Sequence, residues 1–185
     1  MDNKRYAGGN TLLDPEYLLK DILELPYGAR VGDLGCGSMA FFTLQAAKLV
    51  GDKGQVYACD IQKDVLSSVE SKAKQEGLYN IKTVWTNLEL VGATKINEPL
   101  DYTFLVNTLF QSKAHQEMLK EAYRLTKTGG RLLLIDWKIS SGPVGPANDM
   151  KVPKDLAERM ATEVGFKKIS EFEAGNSHYG MIFEK

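Results

Sequence analysis

Short apolar runs alternate with longer amphipathic stretches along this chain of 185 residues. The runs have the length of strands, and glycine, asparagine or charged residues bound them, so we predict a strand in each. Five runs precede the loop that begins at residue 140, and they span residues 31–34, 55–59, 81–85, 102–106 and 131–137. The fifth run is continuously apolar over 132–135, which is typical of a strand buried on both faces.

Between the strands, apolar residues recur at helical spacing. We predict four helices there, over residues 41–50, 64–76, 113–125 and 153–164. Gly77 and Gly165 would end the second and the fourth. Two further apolar runs, 166–173 and 179–185, are separated by four turn-forming residues and predict an antiparallel hairpin. The alternation predicts an α/β fold of three layers, with helices on both faces of a seven-stranded sheet.

Length and composition limit the class of protein. With 185 residues, of which 43% are hydrophobic, the chain suits one domain with a substantial core. We expect a single domain over 1–185, with an N-terminal helical cap segment over 1–29 and a core over 30–185. A net charge of −1 gives no electrostatic footprint for nucleic acid, so no nucleic-acid partner is expected.

The apolar runs and the two cysteines indicate the compartment. No apolar run approaches the roughly 20 residues that a membrane helix needs, and the polar sequence after Met1 is unlike a signal peptide. Cys36 and Cys59 lie in apolar, strand-associated surroundings, which favours reduced thiols over a disulfide. We therefore expect a cytoplasmic protein without a membrane partner.

The first predicted strand runs directly into an acidic and glycine-rich turn, with the sequence VGDLGCGSM over residues 31–39. Gly35 and Gly37 allow a tight turn and let the backbone approach a ligand closely. Asp33 adds a negative charge that suits a ligand with ammonium and hydroxyl donors better than a pyrophosphate. Asp60 closes the second strand, where open α/β sheets bind ligands, and its carboxylate can accept two hydrogen bonds from a ribose diol. The pattern predicts a site for a nucleotide-like cofactor.

Three segments at these spacings resemble motifs of the class I S-adenosylmethionine-dependent methyltransferases. Residues 31–37 are similar to the motif around the methionine part of the cofactor, and Asp60 is similar to the acid that takes both ribose hydroxyls. Residues 125–135 resemble the turn and fifth strand of the family, with Thr128 where the family often has proline. The resemblance begins near Tyr6 and extends to the C-terminus, and it is nearest to the ubiquinone/menaquinone and arsenite methyltransferases. It implies a Rossmann-like, mostly parallel sheet with a C-terminal antiparallel hairpin, S-adenosylmethionine as cofactor, and methyl transfer.

The resemblance also implies a set of cofactor-binding residues. Ile61 would lie against the adenine ring, Asn87 could hydrogen-bond its exocyclic amine, and Asn107 would lie near the methyl group. Residues 6–10 resemble an N-terminal segment that closes over the cofactor. The full set is Tyr6, Gly9, Asp33, Gly35, Cys36, Gly37, Asp60, Ile61, Asn87, Leu88 and Asn107.

A nicotinamide or flavin cofactor is consistent with the same turn. Residues 35–40 satisfy the G-x-G-x-x-A pattern, and Asp60 falls at the spacing that such a site requires. The methyltransferase is favoured because Asp33 would lie close to the pyrophosphate, about 30 residues precede the first strand, and the chain ends in a hairpin. Met39 departs from the family, which usually has glycine there, and could narrow the pocket or shift the turn. Asp60 and Asn107 also have structural interpretations, as caps of a helix and of a turn.

The sequence does not identify a catalytic base, and the catalytic residues stay unassigned. The sulfonium of S-adenosylmethionine already activates the methyl group, so a base is needed only when the acceptor must lose a proton. His115 falls on the polar side of a predicted helix, where we expect a solvated side chain. His178 opens the last strand and either points into a substrate mouth or begins the hairpin.

Missing motifs limit the chemical classes to which the methyl acceptor can belong. Residues 107–110 have the sequence NTLF, not the N/D-P-P-Y/F motif, which disfavours planar amino nitrogens as acceptors. Two cysteines are too few for the thiolate set of an arsenite methyltransferase, and a structural zinc or other metal is not expected. We expect a small-molecule acceptor, with residues 137–146 either facing it or forming a plain crossover. The alternative is a cofactor-binding sensor or partner subunit without catalysis.

Overall fold

The computed structural model describes residues 12–139 and 144–185. Seven strands form one sheet: β1 (Arg30–Leu34), β2 (Gln55–Asp60), β3 (Ile81–Trp85), β4 (Leu100–Val106), β5 (Thr126–Trp137), β6 (Lys167–Ala174) and β7 (His178–Glu184). Their order across the sheet is β3-β2-β1-β4-β5-β7-β6. The first five strands are parallel, and β7 lies antiparallel to both β5 and β6. The mostly parallel sheet with a C-terminal hairpin is therefore confirmed.

The helices cover both faces of the sheet. They are α1 (Pro15–Tyr17), which continues into a π-helical turn (Leu18–Ile22), α2 (Phe41–Val50), α3 (Lys63–Gln75), α4 (His115–Leu125) and α5 (Lys154–Val164), with a 3-10 turn at Leu109–Gln111. The predicted helices are all present, with ends that differ by no more than two residues. Among the described residues, no helix has the length and apolar character needed to cross a membrane.

Alternate residues of the buried strands point into two separate cores. Leu133 and Ile135 pack with α2 and with leucines of the N-terminal segment, on what we call the α2 face. Leu132 and Leu134 pack with α4 and α5 on the opposite side, the α4 face. The three-layer architecture follows from this alternation and is confirmed.

The fifth strand is longer than predicted, because it begins at Thr126 instead of residue 131. Residues 126–130, TKTGG, have the composition of a turn, yet they pair with neighbouring strands. Thr126 lies opposite Leu100, its hydroxyl is 2.8 Å from that of Thr103, and Gly129 N–H donates to the carbonyl of Lys185. A register shift between Leu100 and Tyr102 accommodates the irregular start.

A buried carboxylate anchors the segment between β3 and β4. Glu121 of α4 is fully buried and accepts hydrogen bonds from the backbone N–H groups of Gly92 and Thr94 and from the Arg124 guanidinium. Burial raises the pKa of Glu121, but Arg124 and the backbone donors outweigh it and lower the pKa to about 2. The Thr94 hydroxyl is 3.0 Å from that of Thr86, just after β3, so this network ties the segment to the carboxyl end of β3.

Candidate cofactor site

Two adjoining cavities open at the carboxyl ends of β1, β2 and β4. The strand order reverses between β1 and β4, which is where open α/β sheets bind ligands. The Asp60 cavity has a volume of about 380 Å³, and its lining includes Asp60, Ile61, Thr86, Asn87, Leu88 and Met118. The Asp33 cavity has a volume of about 300 Å³, and its lining includes Leu13, Asp33, Cys36, Met39, Phe42 and Asn107. Gly35, Gly37, Ser38 and Gln111 line both, so the glycine turn is their common rim.

Backbone conformation explains both glycines of the turn. Gly35 has φ +86° and Gly37 has φ +66°, in the left-handed region that other residues adopt at a cost. A Cβ at Gly35 would lie 2.5 Å from Thr108 Cγ2, so this position is also sterically closed. A Cβ at Gly37 would meet nothing within 4 Å, and since Gly37 lines both cavities, we expect that Cβ to project into ligand space.

The Asp60 carboxylate contacts the glycine turn and does not cap the following helix. Its Oδ2 accepts from Gly37 N–H at 3.3 Å and its Oδ1 accepts from Gln62 N–H at 3.0 Å. The N-cap residue of α3 is Gln62, and its side chain makes no capping hydrogen bond. Each carboxylate oxygen has a further lone pair, so Asp60 can still accept from a diol in its cavity.

Part of the wall of the Asp60 cavity combines two apolar side chains, Ile61 and Leu88, with the side-chain amide of Asn87. The Ile61 side chain is 53% exposed in the cavity wall, whereas Leu88 is buried. Asn87 Oδ1 accepts from Glu89 N–H at 2.9 Å. The Asn87 amide NH₂ therefore suits a ring nitrogen of adenine, while the exocyclic amine would need the second lone pair of Oδ1.

Asp33 lies buried in the wall of the other cavity, where the Thr43 hydroxyl donates to its Oδ2 at 2.5 Å. Burial raises the pKa of Asp33 to about 6, although the Thr43 hydrogen bond acts in the opposite direction, and the charge of Asp60 raises it further. On the same cavity wall, Asn107 has φ +54°, and its buried Oδ1 has no hydrogen-bond partner among the described residues. The Asn107 side chain therefore does not cap a turn.

We expect replacement of Asp33 by asparagine to change how stability depends on pH. The folded pKa of about 6 exceeds the ordinary value of 3.8, so the folded state holds this proton more tightly. The free energy of unfolding that Asp33 contributes then falls as pH rises from about 4 to 6 and is constant above that. Urea unfolding of both proteins between pH 4 and 8 would show the wild type losing stability relative to D33N across that window. Parallel profiles would contradict the raised pKa.

Met39 is accommodated without distortion of its own backbone. Its side chain is 53% exposed at the Asp33 cavity, and the left-handed conformation falls instead on the next residue, Ala40, with φ +55°. The side chain thus forms part of the cavity wall, in a turn that keeps both of its glycine conformations.

Two residues of the crevice were missed from the sequence. Gln111 lines both cavities from the 3-10 turn after β4, and its Nε2 donates to the Asn107 carbonyl at 2.6 Å. Thr108 lines the Asp60 cavity, and its hydroxyl donates to the Leu34 carbonyl at 3.2 Å. Their position just after a predicted strand was the available signal. Tyr6 and Gly9, which were also predicted to bind the cofactor, lie outside the described residues.

Neither thiol is suited to act as a nucleophile. Cys36 and Cys59 are both free, and Cys36 lines the Asp33 cavity. Burial raises the pKa of both thiols well above the usual range, with the charges of Asp33 and Asp60 acting in the same direction. Within residues 12–139 and 144–185, no group of three or more His, Cys, Asp or Glu side chains could hold a metal ion.

Neither histidine has a fully solvated side chain. His115 was expected to be solvated, and this is wrong: it is half-buried, and its Nε2 is buried. His115 is the first residue of α4, where helical periodicity is a poor guide to burial. His178 is fully buried, and burial lowers its pKa to about 4, aided by the charges of Lys138 and Lys151.

The described residues fit S-adenosylmethionine. The carboxylates of Asp60 and Asp33 lie on either side of the glycine turn. Asp60 can accept hydrogen bonds from a ribose diol, and Asp33 lies beside the space that an ammonium group would take. Gly37 leaves that crevice open, and the Asn107 oxygen has an unused lone pair at the buried end. Together with the strand order, this arrangement defines the cofactor-binding domain of a class I S-adenosylmethionine-dependent methyltransferase.

The comparisons with known proteins agree with this class. The chain belongs to the methyltransferase-domain family, whose profile matches residues 27–182. A demethylmenaquinone methyltransferase from Geobacillus sp. (strain WCH70) is 32% identical over 112 residues, which are 59% of this chain and 45% of that protein. A protein of the same name from Geobacillus stearothermophilus is 33% identical over 106 residues, covering 56% of this chain and 43% of that protein. The chain thus spans less than half the length of these relatives.

A solved structure gives the same result over most of the chain. The crystal structure of a SAM dependent methyltransferase from Aquifex aeolicus has a TM-score of 0.83 and 27% sequence identity. The match covers 93% of this chain and 89% of that one. The predicted family, and its closeness to the quinone methyltransferases, are therefore confirmed.

Proposed function

We propose that this protein transfers the methyl group of S-adenosylmethionine to a small-molecule acceptor. The observation that carries the proposal is the crevice itself, in which Asp60 and Asn107 present oxygens on the two sides of a backbone turn kept free of side chains by Gly37. When bound, the cofactor supplies a sulfonium methyl that needs no further activation. The contribution of the chain is then to position the cofactor and the acceptor.

Each cavity has a distinct role in this proposal. In the Asp60 cavity, Asp60 holds the ribose hydroxyls, and Ile61 and Leu88 hold the adenine ring between apolar surfaces. In the Asp33 cavity, the ionised Asp33 attracts the ammonium of the methionine part, and Asn107 lies beside the methyl group. Residues 30–185 would act as one catalytic core with residues 1–29 as its cap.

The relatives support a ring-bearing acceptor. Those at 32% and 33% identity are named demethylmenaquinone methyltransferases, which suggests a quinol-type ring as the acceptor of this chain. The net charge of −1 favours such a molecule over nucleic acid. The two free thiols support a reducing, cytoplasmic location.

Calorimetric titration tests the cofactor. We expect S-adenosylmethionine and S-adenosylhomocysteine to bind with 1:1 stoichiometry, and NADH not to bind, because the buried Asp33 would lie near its pyrophosphate. Binding of NADH without either adenosyl compound would overturn the proposal. Transfer of a labelled methyl group from the cofactor to 1,4-naphthohydroquinone under reducing conditions tests the activity. Tight cofactor binding without transfer to this or any extracted metabolite would instead favour a sensor.

A further inference from the structure

Where β5 meets β7, three buried ring nitrogens have no hydrogen-bond partner within the described part of the chain. His178 is fully buried and Trp137 is 8% exposed, and their ring centroids are 4.0 Å apart. Among the described residues, no hydrogen-bond partner reaches Trp137 Nε1, His178 Nδ1 or His178 Nε2. The great majority of buried polar atoms in proteins have a hydrogen-bond partner, so three adjacent exceptions require an explanation.

This pair, which we call the Trp137–His178 cluster, lies on the same side of the sheet as the Asp33 cavity. Trp137 is paired with His178 across the two strands, and it follows Ile135, which packs on the α2 face, by two positions. The adjacent strand β4 ends at Val106 opposite Ile135, and Val106 lines the Asp33 cavity. The cluster is therefore one to two strands away from the cavity, along the same edge and face.

The N-terminal segment connects the two places. Leu13 lines the Asp33 cavity, and the carbonyl of Leu12 packs so closely on Gly175 of the β6–β7 turn that a Cβ there would collide with it. Ala174, next to that turn, is paired with His178. One short segment thus borders both the cavity and the turn beside the cluster.

The cluster costs free energy in the unbound protein. Each of these nitrogens is removed from bulk water, and no described residue replaces the hydrogen bonds that bulk water would make. Replacement of such groups in a core by apolar ones is generally neutral or stabilising. A ligand that supplies the missing partners would recover that cost on binding. The three nitrogens therefore favour the state in which such a ligand is bound.

The donors and acceptors specify the ligand chemistry. The indole N–H of Trp137 can only donate, whereas a neutral imidazole has one donor and one acceptor. Their common partner is a hydroxyl group, which accepts from one ring and donates to the other. The positive charges of Lys138 and Lys151 act on His178 and favour an electron-rich oxygen. Phe110 packs edge-on against Trp137 at 6.5 Å and provides apolar surface for a ring.

We propose that the Trp137–His178 cluster is the polar end of the acceptor site and binds the hydroxyl of a hydroxylated aromatic ring. The inference rests on the proposed methyltransferase function, which it extends by assigning the two side chains that hold the hydroxyl of the acceptor ring. Trp137 and His178 are positioning residues for the acceptor, and the reacting atom would lie toward Asn107.

The two tryptophans of the chain allow a direct test by NMR. Their indole N–H groups give two resonances, which the variants Trp85→Phe and Trp137→Phe assign. Trp85 is a matched control, because its indole already donates to the Ile61 carbonyl at 2.8 Å. We expect 1-naphthol, added to protein saturated with S-adenosylhomocysteine, to move the Trp137 resonance downfield with saturation. The same concentration of 1-methylnaphthalene, which lacks the hydroxyl, is expected to leave it in place.

Substitution separates binding from packing. In His178→Leu and Trp137→Phe, we expect at least tenfold weaker affinity for 1-naphthol and unchanged affinity for S-adenosylhomocysteine, both by calorimetry. His178→Leu is also expected to unfold at the same or a higher urea concentration, since it removes two unsatisfied nitrogens. Unchanged 1-naphthol affinity in both variants, or a Trp137 resonance that does not respond, would mean that these nitrogens do not bind the acceptor hydroxyl and would overturn the proposal. Failure of S-adenosylhomocysteine to bind would instead count against the proposed function. In that case, titration of the unliganded protein with 1-naphthol would still test the acceptor site at Trp137 and His178.

Discussion

Replacing Asp60 with alanine is expected to weaken the binding of S-adenosylmethionine and S-adenosylhomocysteine by about 1.5 to 3 kcal/mol, the range for hydrogen bonds to a charged group. This corresponds to roughly 10- to 150-fold in affinity. The substitution removes the carboxylate that we propose as acceptor for the ribose diol. It also frees Gly37 N–H, whose bond to Asp60 helps to set the turn. Calorimetry at pH 7 would measure the loss.

Two further variants make the Asp60 result specific. Asp60→Asn keeps one oxygen acceptor and should fall between wild type and D60A. Asp64→Ala removes a carboxylate from the exposed first turn of α3 and should leave the affinity unchanged. An affinity in D60A equal to that of the wild type would show that Asp60 supports the turn alone.

Alanine at Gly35 and alanine at Gly37 are expected to fail in different ways. In G35A, left-handed strain of about 1–2 kcal/mol adds to a collision with Thr108 of about 1–3 kcal/mol, so unfolding free energy should fall by about 2–5 kcal/mol. In G37A, only the left-handed backbone strain applies, and the free energy of unfolding should fall by about 1–2 kcal/mol. The methyl group of G37A is nevertheless expected to project into the proposed cofactor crevice, so we expect at least tenfold weaker binding of S-adenosylhomocysteine.

Urea unfolding of the unliganded proteins and calorimetry of the folded ones would separate these two effects. Thr108→Ser offers a second check, because it removes the Cγ2 atom nearest to the added Cβ and keeps the hydroxyl that donates to the Leu34 carbonyl. The double variant G35A/T108S should recover part of the lost stability. Equal stability losses in G35A and G37A would contradict the packing difference between the two glycines.

The fold could be predicted because each element has its own periodicity. Apolar runs predicted every strand, and helical spacing predicted every long helix, since burial on one or both faces imposes these patterns. The start of β5 could not be predicted, because residues 126–130 have turn composition and only the pairing of Thr126 with β4 makes them extended. Such a contact leaves no local signal.

The candidate site could be predicted where its residues lie at or just after the carboxyl ends of strands. Asp33 and Asp60 lie near the ends of β1 and β2, and Asn107 follows β4. The structure brings these three predicted residues to one crevice, and their role in binding stays a prediction. Thr108 was missed because its orientation depends on the Leu34 carbonyl, 74 positions earlier in the chain. The burial of His178 likewise depends on Trp137 in the paired strand, and the raised pKa of Asp33 depends on packing that no local pattern encodes.

The shared rim between the two cavities has a consequence for inhibitor design. In the proposed binding mode, a ligand that fills both cavities is in effect two fragments, a nucleoside and an amino acid, joined across the backbone of Gly35 and Gly37. Once one fragment is held, the other binds at the effective concentration that the link sets, and the intact ligand gains affinity without a new contact. Either fragment can therefore serve as a starting point, and chemical extension over the glycine turn is the step that gains the most.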